Sequence, residues 1–283
     1  MASRGRGRGG VGHGASRPGR SLASGGGEGP MPGGSKPKTP GSVKELRTYL
    51  HSLNDSNFQV YGDMFGDMVL DYSKKSKERL QEAVDLIFDT TVHSRDYAEL
   101  GAKVCEKIAQ EGAGDSDEKR TQRSEFRKLL LNQLHANFKN RESIRTQSIE
   151  AWLAIFAFMC EISPRLKVGD KSIMVLSKAI LLAVEFLLEK EDIVSDEIDC
   201  ICSSLKVCGK GIEEQCPERF EEIFTELRKR LILGKTSCQA RCTILELIEF
   251  RHMQWSDPNN TLLNFYADAM ADATAEDELQ GGE

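Results

Sequence analysis

No apolar run in this 283-residue chain approaches the roughly 20 residues needed to cross a bilayer. The polar, Arg-rich start also lacks the apolar stretch of a secretory signal. A membrane-spanning or secreted protein is therefore not expected, and the eight cysteines are expected as reduced thiols, mostly small buried apolar groups. The cysteines contain no C-x-x-C pair with a neighbouring His, so a structural zinc site is not legible in their spacing. Residues 1–42 almost lack large apolar side chains, and residues 257–283 have seven acids but no Lys or Arg. Neither end can bury enough surface to offset the entropy of ordering. Both are expected as disordered tails, the second beyond about Ala267, flanking a folded domain over 43–256.

Charge divides the same way. The head carries seven Lys and Arg against Glu28 alone, a balance of +6, so the remainder carries −12 of the net −6. A basic head on an acidic body places any contact with a polyanion in the head and leaves the body to bind proteins. In Ser3–Gly10, Arg4, Arg6 and Arg8 occupy every second position of a Gly-rich run. Such guanidinium groups can contact phosphates and stack on bases without sequence preference, the alternative being a solubilising tail.

Between the tails the apolar residues recur at helical spacing. Ten segments are predicted. The first uses Leu46, Leu50 and Leu53, and the second runs from about Phe58 to Ser73. The third carries Leu80, Val84 and Ile87, and the fourth Leu100, Val104 and Ile108. A polar loop over Gly112–Lys119 is expected to be mobile. The fifth segment carries Phe126, Leu130 and Leu134. The sixth, around Ile144–Ile162, is apolar on nearly every side and should sit in the middle of the domain. The seventh runs through Ile173–Leu188. The eighth starts at Ser195 and is expected to stop at Gly209 and Gly211, the ninth starts at Pro217, and the tenth carries Leu245, Ile248 and Trp255. Ten helices with mostly short connections make about five antiparallel pairs. Pairs that cannot bury their apolar faces alone stack as an all-α, HEAT-like solenoid.

Little catalytic chemistry is legible. Gly234-Lys235-Thr236 resembles the end of a phosphate-binding loop, but Lys229 stands where its first glycine is required, and a helix precedes it. The five histidines fall singly on separate segments, and no Ser/His/Asp or Cys/His set can be assembled from spacing. No enzyme activity, cofactor or metal is expected. The remaining candidates are surface features. Arg127, Lys128, Lys139, Arg141 and Arg145 surround the joint between the fifth and sixth helices, a patch for RNA or an acidic loop, or simply solvated helix-end charges. Arg251 and Trp255 share a face at the domain end, as a partner anchor or, preferably, a cap on the last repeat.

The run F-R-K-L-L-L-N at Phe126–Asn132, followed by Phe138, resembles the start of the third repeat in the middle domain of eukaryotic translation initiation factor 4G. The closing pattern L-E-L-I-E-F-R-H-M-Q-W at Leu245–Trp255 resembles the same family. Within that family the chain is similar to polyadenylate-binding-protein-interacting protein 1, which also begins with an Arg-Gly-rich head, and to its short middle-domain relatives. The resemblance covers roughly 43–256. It implies a scaffold that regulates translation by binding initiation factors, a DEAD-box RNA helicase and poly(A)-binding protein. Phe126, Arg127, Leu129, Leu130 and Leu131 match as mainly structural positions, and Glu161 matches near the end of helix six. The family's basic run before helix six is reduced here to Arg145 and its neighbours, which weakens the implied helicase contact. Two alternatives stay open: an mRNA processing or decay adaptor of the histone-mRNA or nonsense-mediated type, and direct RNA binding by the solenoid. The expected location is the cytoplasm, with nuclear shuttling and homodimerisation left open.

Overall fold

The structure, a computed structural model, describes residues 40–280 apart from 75, 113, 169, 170, 234 and 235. Arg4, Arg6 and Arg8, and the glycine and lysine of Gly234-Lys235-Thr236, lie outside the described residues. The described chain forms α1 (Val43–Ser52), α2 (Asp55–Ser73), α3 (Lys77–Thr91), a 3-10 turn (Arg95–Tyr97), α4 (Ala98–Ala109), α5 (Asp117–Lys139), α6 (Arg141–Gln147) and α7 (Ile149–Arg165). A two-residue antiparallel pair, β1 (Lys167–Val168) and β2 (Lys171–Ser172), leads into α8 (Met174–Leu188), α9 (Ser195–Gln215), α10 (Pro217–Leu233), α11 (Cys238–His252) and α12 (Thr261–Gln280).

Local chemistry sets the helix starts. Ser42, Ser76, Ser116, Ser148 and Ser237 each accept a backbone N–H of the first turn. Asn54 and Asn57 cap one another reciprocally at α2. Pro217 opens α10, where its missing N–H costs nothing.

The helices stack in two layers. In one, α2, α4, α7, α9 and α11 are successive neighbours; in the other, α1, α3 and α5 stand side by side, as do α8 and α10. These are the five pairs of a helical solenoid, with α6 at the step between α5 and α7 and α12 laid on α11. One apolar core runs from Leu46 to Leu247. α7 is its centre: Trp152, Leu153, Phe156, Phe158 and Ile162 are wholly buried, as its all-round apolar pattern predicts.

Four boundaries differ from the sequence expectation. The run Ile144–Ile162 is two helices, because Ser148 adopts an extended backbone and caps α7 by accepting the Ala151 N–H at 3.1 Å. Residues Asp117–Lys119 belong to α5, and the loop before them is pinned. Asp115 pairs with Arg123 at 2.8 Å, and Arg123 also donates to the Lys107 and Ile108 carbonyls that end α4. Gly209 and Gly211 lie inside α9, which continues to Gln215. A Cβ at Gly209 would lie 2.4 Å from the Trp255 ring, so this glycine makes room for an aromatic side chain rather than ending a helix. Finally, packed structure passes residue 256 and helix continues beyond Ala267: Leu262 and Tyr266 of α12 are buried against α11.

Candidate protein-docking face

The face formed by α2, α4 and α7 is crossed by a ladder of charged side chains. Lys103 of α4 lies 3.3 Å from Asp55 and 2.9 Å from Glu99; Lys107 lies 2.8 Å from Asp63. Arg165, in the last turn of α7, pairs with Glu161 at 2.6 Å and reaches Glu99 and Glu106 at 3.9 Å each. Three carboxylates thus share one guanidinium. Burial pushes the Glu161 pKa up, with Arg165 opposing the shift. With five carboxylates against three cations, the ladder suits contact with a basic protein surface more than with a polyanion.

The basic residues expected around the fifth and sixth helices do not form one patch. Arg127 donates to the Ala109 carbonyl at 3.1 Å and to Glu111 at 3.2 Å, closing the end of α4. Arg145 points inward. Its guanidinium meets both oxygens of the fully buried Glu197, at 2.6 and 3.0 Å, and both of Asp192 at 3.2 Å. These hydrogen bonds raise the Arg145 pKa, Glu197 first, and the bond from Arg145 lowers that of Asp192. The Val194 N–H donates to the same Glu197 carboxylate at 3.0 Å, tying the ion pair to the start of α9.

Arg141 is wedged between aromatic rings, 4.6 Å from the Phe138 centroid and 4.9 Å from that of Phe186. Lys190 stacks on Phe186 at 4.4 Å and pairs with Glu142 at 3.0 Å. Only Lys128 and Lys139, of the five, present their charge mainly to solvent. Beside Lys139 is a shallow depression of about 490 Å³, whose lining includes Glu142, Ser143 and Thr146 and is otherwise polar.

Arg251 and Trp255 meet at the far end. Arg251 donates to Glu213 at 2.6 Å and to Glu221 at 2.7 Å, and lies 4.4 Å over the Phe224 ring. The Trp255 indole N–H donates to the other oxygen of Glu213 at 2.7 Å, and its ring packs edge or tilted on Phe220, Phe224 and Phe250. Trp255 reaches this position through the left-handed backbone of Gln254 and of Trp255 itself, at φ 58° and 59°. The arrangement latches α9, α10 and α11 together and uses most of the indole internally.

Sequence spacing had no access to the partners of these groups. Glu197 and Asp192 lie 52 and 47 residues from Arg145, and the ladder through Lys103 and Arg165 joins three helices. An Arg or Lys at an otherwise core-facing helical position was the available signal. Among the described residues no helix is long and apolar enough to cross a membrane, and no three His, Cys, Asp or Glu side chains are grouped to hold a metal.

Residues 44–253 match the family model of the MIF4G domain. A CBP80/20-dependent translation initiation factor of Xenopus tropicalis is 29% identical over 198 residues, covering 69% of this chain but 32% of that protein. A MIF4G domain-containing protein of Xenopus tropicalis is 28% identical over 178 residues, 62% of this chain and 78% of that one. The Homo sapiens protein of the same description is 28% identical over 179 residues, with the same shares. The match thus spans about a third of the first relative and most of the shorter two. The paired helices, the central apolar α7 and the family match over residues 44–253 agree: this chain belongs to the MIF4G domain family, the middle-domain family of initiation factor 4G.

Proposed function

We propose that this chain is a non-enzymatic adaptor in mRNA translation initiation, acting in the cytoplasm. Its helical stack holds protein translation factors, and its Arg-Gly head touches mRNA. The observation that carries the reading is the family match over almost the whole helical stack, supported by a relative whose name is that of a translation initiation factor. The expected partners are a DEAD-box RNA helicase and poly(A)-binding protein. The charged ladder from Asp55 to Arg165, with Glu161 within it, is the proposed docking face, and its surplus carboxylates favour a basic protein partner. Holding one factor on the stack and RNA on the head raises the local concentration of each for the other. The −12 balance outside the head disfavours RNA binding along the helices themselves.

The test is affinity capture of the tagged full chain from cytosol, with and without ribonuclease, alongside a chain lacking residues 1–42. Recovery of initiation factors and poly(A)-binding protein after ribonuclease supports the reading. Their loss with the RNA refutes direct contact, and RNA recovery that ignores the truncation refutes the role of the head.

A further inference from the structure

α12 begins past the end of the family match, which stops at residue 253, and it lies on α11 as a cover. Its attachment is narrow. Of residues 261–271, Leu262 and Tyr266 are buried, Ala269 and Met270 are half-buried, and the other seven are exposed. Leu263 and Phe265 turn 51% and 62% of their surface to solvent. Leu262 and Tyr266 stand outside the continuous apolar core, whose last member is Leu247. The Tyr266 hydroxyl donates to Glu249 at 3.0 Å, and the Thr243 hydroxyl lies 4.0 Å from the Met270 thioether, so the two helices run antiparallel. Leu262, Tyr266 and Met270 thus make one stripe at helical positions i, i+4 and i+8.

The connection allows α12 to leave as a unit. Just before it, Trp255 is anchored in the stack by Glu213 and three phenylalanine rings, so release of α12 need not unwind α11. Between anchor and helix, Ser256, Pro258, Asn259 and Asn260 are exposed. Asn260 takes the left-handed backbone, at φ 51°, which asparagine adopts more readily than most residues. Asp257 accepts the N–H groups of Thr261, Leu262 and Leu263 at 3.0, 2.9 and 3.3 Å. The first turn of α12 is therefore capped from its own linker and not from the stack. An anchored end, an exposed hinge and a self-capped helix held by one stripe are the parts of a displaceable strap.

We propose that the α11 face under α12 is a second docking face, separate from the charged ladder, and that α12 is its internal occupant. The external ligand is an amphipathic helix of a partner protein. α12 shows what that helix must carry: an aliphatic anchor, then a phenol placed to donate to Glu249, then a long apolar side chain, each one turn apart. While docked, α12 competes from within the chain at the roughly millimolar effective concentration of a short linker. A partner helix binds by displacing it, and the fraction of chains with α12 released sets the apparent affinity.

The probe is a fluorescein-labelled peptide of residues 257–280, followed by anisotropy against two full-length chains. One chain is unaltered; the other carries Leu262→Ala and Tyr266→Ala, which loosen α12 and leave the core residues as they are. The loosened chain should bind the peptide at least about tenfold tighter, the factor expected when α12 is docked in about nine chains of ten. A peptide with its own Tyr266→Ala should bind that chain at least about tenfold more weakly, having lost a hydrogen bond to a carboxylate. In the unaltered chain, the amides of residues 263–271 should exchange with deuterium at least about a hundredfold faster than those of α9, because α12 opens without the stack. This second readout depends on no variant. No binding to the loosened chain, equal binding to both chains, or α12 amides as slow as those of α9 would overturn the strap. Equal binding of the Tyr266→Ala peptide would overturn the ligand chemistry assigned to the face.

Discussion

Gly209 offers a test in which one substitution changes sign with its neighbour. It lies within α9, where alanine is ordinarily favoured over glycine by about 1 kcal/mol. A Cβ there would stand 2.4 Å from Trp255 Cη2 and 2.5 Å from Cζ3, against the ~3.5–4.0 Å at which carbon atoms attract. The ring would have to retreat by about 1 Å. It is held by Phe220, Phe224 and Phe250, with centroids 5.8, 6.4 and 6.0 Å away, and by its hydrogen bond to Glu213. Overpacking of this kind costs about 1–3 kcal/mol, and a weakened bond to a carboxylate about 1.5–3 more. Gly209→Ala should therefore destabilise the native chain by roughly 1.5–5 kcal/mol after the helical gain. In a Trp255→Ala chain, itself about 3 kcal/mol less stable, the same substitution should be neutral or stabilising by up to ~1 kcal/mol. Urea unfolding followed by far-UV circular dichroism gives all four corners of the cycle, with an expected coupling of at least ~2 kcal/mol. Equal effects in both backgrounds, or a more stable Gly209→Ala protein, would refute the latch.

Three further outcomes follow from the charged groups. Arg145→Met should cost about 3–5 kcal/mol by leaving Glu197 buried without its guanidinium, whereas Lys139→Glu should change stability by no more than ~0.5 kcal/mol; thermal unfolding of the two variants separates an internal arginine from a surface lysine. Asp115 has its pKa lowered by the Gly112 N–H and by Arg123. A depressed carboxylate stabilises fully above its unfolded value of 3.8 and loses that contribution as pH falls through the folded one. Asp115→Asn should thus flatten the acid limb of a stability–pH curve below about pH 4 and lower its neutral plateau. Glu161 has the opposite sign, its folded pKa lying above the ordinary 4.5 because of burial. Glu161→Gln should be tolerated best at neutral pH, and its advantage over wild type in urea titrations should fade as pH falls through the raised value toward 4.5.

The helical class and the central place of α7 were legible because burial on all sides leaves an apolar run that few other environments produce. Helix starts were legible at Ser195 and Pro217, but not at α5 and α7, which Ser116 and Ser148 cap. The misread boundaries have a common cause. Gly209 looks like a terminator until Trp255, 46 positions later, is seen to occupy the space of its missing side chain. Ser148 looks like part of a helix until its extended backbone is known. The basic residues of the fifth and sixth helices were correctly located along the chain, but their direction was not. Whether Arg145 faces RNA or a buried Glu197 depends on a contact across 52 residues. Phe186, which faces Arg141 from the side opposite the neighbouring Phe138, is likewise distant in the sequence.

The step at α6 has a mechanical consequence. A stack in which each pair touches mainly its neighbours has no long brace, so its stiffness is set joint by joint. Between the third and fourth pairs, α7 and α9 stay in apolar contact in one layer, while in the other α5 and α8 are not close neighbours. That gap is spanned by Arg141 between Phe138 and Phe186, by Lys190 with Glu142, and by Arg145 with Glu197 and Asp192. One side of the joint is thus oily and the other ionic. Salt weakens the partly exposed members of the ionic side and leaves the oily side untouched, so rising ionic strength loosens this joint on one side only.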